Sequence, residues 1–112
     1  MSNGTGDKRE SPRRELKLQA ILKVEDMMAT KVRTLDIGKY GMALIGIARQ
    51  LTTVQDVNVS FDMFFAGKLH HADLYGRISH CMNTKSDGYK AGLEFLSLDA
   101  EFESLLAKYV GA

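Results

Sequence analysis

The chain has 112 residues, 45% of them hydrophobic and 26% charged, with a formal net charge of +1. That length holds one small domain with a single core, and so small a net charge excludes bulk electrostatic binding of nucleic acid. The lone cysteine, Cys81, excludes an intrachain disulfide and suits a reducing cytoplasm, while no apolar run reaches the length of a membrane span.

The charge is unevenly placed. Residues 1–14 carry Lys8, Arg9, Arg13 and Arg14 against Asp7 and Glu10, a net +2, which leaves the rest of the chain at −1. Residues 1–13 are rich in Ser, Asn, Gly and charge, and read as a flexible leader ahead of a folded unit over 14–112. Leu16, Leu18, Ala20, Leu22 and Val24 then alternate with Lys17, Gln19, Ile21 and Lys23. That period of two predicts a half-buried strand. Glu25-Asp26 predicts a turn. Ala29 to Leu35 predicts a second strand and Met42 to Ile47 a third, followed by a polar loop from Arg49 to Asp56.

Val57, Val59, Phe61, Met63 and Phe65 alternate with mostly polar neighbours, the clearest strand pattern in the chain. Gly67-Lys68 predicts the next turn. A long strand or bent hairpin arm follows from Leu69 to Met82, with Leu74, Gly76, Ile78 and His80 expected on one face. Asp87-Gly88 has turn chemistry, and Tyr89 to Leu96 predicts a final strand. The period then changes. Ser97 or Asp99 can cap a helix whose apolar stripe is Phe102, Leu105, Leu106, Tyr109 and Val110. The fold expected is an all-β-dominated, six-stranded antiparallel barrel with a C-terminal α-helix. Closure of the barrel removes free strand edges, which suits a monomer.

Two phrases carry the chemistry. Arg9-Glu10-Ser11-Pro12-Arg13 places two arginines four apart before the first strand. Asp36-Ile37-Gly38-Lys39-Tyr40-Gly41 lies between the second and third strands. Taken alone, Asp36 reads equally as a turn residue or a ligand contact, and Gly41 as a turn glycine. Tyr40 reads equally as a stacking residue or a surface turn residue.

With the strand order, the terminal helix and Gly88-Tyr89-Lys90-Ala91-Gly92-Leu93-Glu94-Phe95, these phrases resemble the PilZ domain, a bacterial receptor module for cyclic di-GMP. Arg9 and Arg13 fill the family's RxxxR motif. Asp36 and Gly41 fill the ends of its [D/N]xSxxG motif, and Gly38 stands where the family has serine. The resemblance implies a second-messenger receptor, not an enzyme, that binds cyclic di-GMP through Arg9, Arg13, Asp36, Gly38 and Gly41. It implies that binding folds the leader over the barrel and signals to an unidentified downstream protein in motility, adhesion or virulence control.

Arginine's fork matches the paired acceptors O6 and N7 of guanine and also suits phosphate. A carboxylate accepts from the complementary guanine edge. Gly41 is expected to take a positive φ in the turn and keep side chains out of the pocket. Lys8 and Arg14 add phosphate contacts or remain solvated. Gly38 lacks the hydroxyl, so the alternative is a degenerate member that holds no nucleotide and acts through protein contacts, as in type IV pilus assembly.

Other constellations carry less. His70 and His71 point to opposite faces of a strand, as do His80 and Cys81, so no metal site is expected. Ser79-His80 and His71-Ala72-Asp73 lack the surroundings of a hydrolase triad.

Overall fold

The computed structural model describes residues 11–111. The leader through Glu10, with Lys8 and Arg9, lies outside the described residues. The strands are β1 (Arg13–Glu15), β2 (Gln19–Val24), β3 (Thr30–Gly38), β4 (Gly41–Ile47), β5 (Asp56–Phe65), β6 (Lys68–Asn83) and β7 (Tyr89–Ser97). The helix, α1, spans Ala100–Gly111.

The barrel is built from six of the strands, ordered β3-β2-β5-β6-β7-β4, and the pairing of β3 with β4 closes it. All pairings are antiparallel. The expected fold class is therefore the one observed. Inward residues such as Leu22, Ile37, Leu44, Val59 and Ile78 are almost fully buried and form one core. Burying such a side chain contributes about 1.5–3 kcal/mol, which is what holds the short strands together.

The first expected strand is divided. Arg13–Glu15 pairs with the far end of β3 as β1, and Gln19–Val24 pairs with its near end as β2. The break between them faces a β-bulge in β3 between Thr34 and Asp36. Thr34 is buried and repairs the break. Its hydroxyl accepts from the Leu18 amide at 2.9 Å and donates to the Leu16 carbonyl. Thr34→Val keeps the shape but strands both backbone groups. An unsatisfied buried polar group costs about 1–3 kcal/mol, so urea denaturation of this variant should show a loss in that range.

Several expectations shift in detail. The β5–β6 turn is Ala66-Gly67, with φ of 55° and 79°, and Lys68 already pairs with Phe65. Two consecutive positive φ values match the twist of the flanking strands. A second bulge lies in β6 between Ile78 and His80. It breaks the expected alternation, so Ile78 is buried while Ser79 and His80 are both exposed. His80 is thus on the outer surface and not on the core face with Ile78.

Asp99, rather than Ser97, caps α1. Its Oδ1 accepts from the Phe102 amide at 2.8 Å, and Glu101 and Glu103 suit the positive end of the helix dipole. Phe102, Leu106 and Tyr109 are buried against the barrel, whereas Leu105 is only partly buried. The C-terminal turn of α1 is tied to β1. The Tyr109 hydroxyl donates to the Glu15 carbonyl at 2.8 Å, and the Tyr109 ring meets Phe65 edge-on at 5.2 Å.

Candidate ligand-binding site

The bulge in β3 decides where Asp36 points. Val32 and Thr34 face the core, and regular alternation would send Asp36 inward too. The extra residue reverses the parity, so Ile37 is buried and Asp36 faces out. Arg13 pairs with Gly38 across β1 and β3, and its side chain lies along the same outer face. Its Nε donates to Asp36 Oδ1 at 2.8 Å, and Nη2 donates to the same oxygen. Both side chains remain more than a third exposed. Water screens such a pair, so it adds little stability. What it does is hold the guanidinium and the carboxylate side by side.

The two glycines of the second phrase serve different ends. Gly38 lies beneath the Arg13 stem. A Cβ there would sit 3.1 Å from Arg13 Cγ and 3.1 Å from the Pro12 carbonyl oxygen. Gly41 is not at positive φ, contrary to the sequence expectation. It is required by close packing instead: a Cβ at 41 would lie 2.1 Å from the Leu93 carbonyl oxygen of β7.

Arg14 points away from this pair, because adjacent strand residues face opposite ways. Its Nη1 donates to the Tyr109 carbonyl at 2.9 Å, and its guanidinium lies 4.2 Å from the Tyr109 ring centroid. It neutralises the carbonyl end of α1 and stacks on an aromatic face. Its guanidinium is thus engaged by α1, although Arg14 still lines a shallow surface pocket together with Arg13 and Asp36. Lys8 and Arg9 lie outside the described residues.

Arg13 and Asp36 form one rim of a surface trough of about 490 Å³. Asp36 pairs with Ala43, Ala43 with Gly92, and Gly92 with His80, so one row crosses β3, β4, β7 and β6. Ala43 is the low floor, and the His80 ring lies over Gly92. Lys90 and Glu94, on the outer face of β7, also line the trough, and exposed Tyr40 borders it. A second cavity of about 590 Å³ lies between α1 and the Lys39-Tyr40 turn, and Tyr40 lines that one too. It contains neither Arg13 nor Asp36. A guanidinium, an ammonium and two carboxylates beside a low floor suit a ligand that presents both anionic groups and hydrogen-bond donors.

The remaining histidines are dispersed. His71 Nδ1 lies 2.7 Å from Asp62 Oδ1 and His70 Nε2 lies 3.1 Å from the Phe65 carbonyl. Among the described residues no three His, Cys, Asp or Glu side chains gather as a metal site would need. His80 and Lys90 were not singled out by the motifs. Their place on the trough depends on a strand pairing and a bulge that leave no local signal.

No curated protein matches the chain. Solved structures resemble its fold. The inhibitor of motility MotI/DgrA of Bacillus subtilis superposes with a TM-score of 0.78 at 16% identity, covering 91% of this chain and 49% of that one. The present chain thus spans about half the length of MotI. The PilZ domain of YcgR from Escherichia coli, solved with c-di-GMP, gives 0.66 at 13% identity over 93% of this chain and 89% of that one. The PilZ domain of CeSA from a cellulose-synthesizing bacterium gives 0.63 at 15% identity over 90% and 96%. The model of the PilZ domain family matches residues 7–112, nearly the whole chain including both motif phrases, and the protein is a member of the PilZ domain family.

Proposed function

We propose that this PilZ domain is a non-enzymatic receptor for cyclic di-GMP that signals to a partner protein. The observation that carries the reading is the Arg13–Asp36 pair, held outward beside the trough at the two positions where the motifs converge. Arg13 supplies a fork for guanine O6 and N7 or for phosphate, and Asp36 accepts from the guanine N1 and N2 edge. Arg9 reaches the same ligand from the leader, and Lys8 adds charge beside it. Gly38 offers backbone in place of the family serine. Because Arg14 is engaged by Tyr109, the affinity rests on Arg9 and Arg13. A domain of this kind acts in the cytoplasm, where the nucleotide is made, and its output is control of motility, adhesion or virulence through the partner.

Calorimetric titration with cyclic di-GMP, run beside cyclic di-AMP, tests this. Saturable heat with the guanine dinucleotide and none with the adenine one is expected. Equal response to both, or none to either, removes the reading.

The degenerate-module alternative draws on one observation, that Gly38 has no hydroxyl and is covered by Arg13. Gly38→Ser separates the two. The φ at 38 is not in the left-handed region, and both the Arg13 stem and the Pro12 carbonyl have to give by a few tenths of an ångström. A hydrogen bond to a charged phosphate contributes at most about 1.5–3 kcal/mol. The serine variant is therefore expected to bind more tightly, by about tenfold or more if the full contact forms. Weaker binding would show that the site is built around glycine.

A further inference from the structure

We infer that His80 forms the second wall of the ligand site and packs its imidazole against a guanine base of the bound nucleotide. The inference rests on the cyclic di-GMP reading above and adds a residue that lies in neither motif. Two bulges on one row of the barrel support it. One turns Asp36 outward from β3, and the other turns His80 outward from β6. Both residues would face the core in regular strands. The strands between them contribute Ala43, which keeps the floor low, and Gly92, which admits the His80 ring.

Three strand spacings separate Asp36 from His80, about 14 Å at about 4.8 Å each. The His80 ring over Gly92 takes up the last of these spacings and leaves about 10 Å, which admits a base between the ring and the Asp36 rim. The imidazole leans into the trough. A Cβ at position 92 would lie 2.2 Å from His80 Cε1, so the ring occupies space that only glycine leaves open. The Ser79 hydroxyl donates to the Gly92 carbonyl at 3.1 Å, which fixes the bulge beside the ring. His80 is exposed, so its ring can meet a ligand without first leaving a partner in the core.

Stacking of a base on an aromatic ring is worth about 1–3 kcal/mol by alanine substitution. His80→Ala should therefore weaken cyclic di-GMP binding by about fivefold or more in calorimetry. His80→Phe keeps a flat ring over Gly92 and should stay within about twofold of the unaltered chain. In the unaltered complex, a nuclear Overhauser effect should connect His80 ring protons to guanine H8, which needs no variant to fold. Unchanged affinity in His80→Ala, an equal loss in His80→Phe, or no such effect in a saturated complex would overturn the inference. Arg13→Ala is the parallel control. If it weakens binding while His80→Ala does not, the receptor reading stands and the second wall falls. If the unaltered chain takes up no cyclic di-GMP, both fall.

Discussion

Replacing Leu106 by alanine is expected to lower the unfolding free energy by about 2–5 kcal/mol, the range for truncating a buried leucine. Leu106 is 1% exposed and lies at the centre of the α1 face that covers the barrel. A helix of 12 residues is marginal in isolation. It persists here because Phe102, Leu106 and Tyr109 bury one face. In a domain of this size a loss of 1 kcal/mol lowers the melting temperature by about 4–8 °C, so calorimetric melting should fall by about 10 °C or more. Leu105→Ala is the internal comparison. Leu105 is only partly buried, so its truncation should cost clearly less. Equal losses would mean that the helix docks on a different face. The same change should reach the ligand site. Tyr109 holds β1 through the Glu15 carbonyl and Arg14, and β1 carries Arg13.

Arg13→Ala is the second large effect, and it should appear in binding and not in folding. One bidentate arginine–guanine contact is worth about 1–3 kcal/mol, so cyclic di-GMP affinity should fall by about fivefold or more. Stability should change by less than about 1 kcal/mol, because both side chains of the Arg13–Asp36 pair are more than a third exposed and water screens them. Lysine at 13 keeps the charge but loses the planar fork. It should recover only part of the affinity. A melting curve and a titration on the same variant check both halves. A large fall in stability with unchanged affinity would make Arg13 a structural residue.

Much of this architecture was legible where strands are half-buried. Val57 to Phe65 alternates because one face of β5 meets the core and the other meets water. The helix was legible from its change of period and its capping residue. β1 was not, because Arg13-Arg14-Glu15 is short and polar and becomes a strand only by pairing with β3. The bulges were not legible either. An extra residue in a strand shifts parity without any composition cue, and the register is set by tertiary pairing. That is why His80 was expected on one face with Leu74 and Ile78 and why nothing in the sequence placed it opposite Asp36.

The candidate site was legible in part. The two motif phrases brought Arg13, Asp36, Gly38 and Gly41 into view. Three-dimensional packing then gave each a different task. Arg13 and Asp36 meet, Gly38 admits the arginine stem, and Gly41 lets β4 approach β7. Arg14 has the same composition signal as Arg13 but the opposite strand face, and so it holds α1 instead.

The central claim is that cyclic di-GMP occupies the trough beside Arg13 and Asp36. Amide chemical-shift mapping of the unaltered chain during titration tests it most directly. The account predicts that Arg13, Asp36, Gly38, Ala43 and Gly92 shift together and saturate at one ligand ratio. Residues on the opposite side of the barrel, such as Asn58 and Asp73, which bond to each other at 2.8 Å, should hold their positions. Saturable shifts confined to that opposite side, or to the cavity under α1, with Arg13 and Asp36 unmoved, would contradict it.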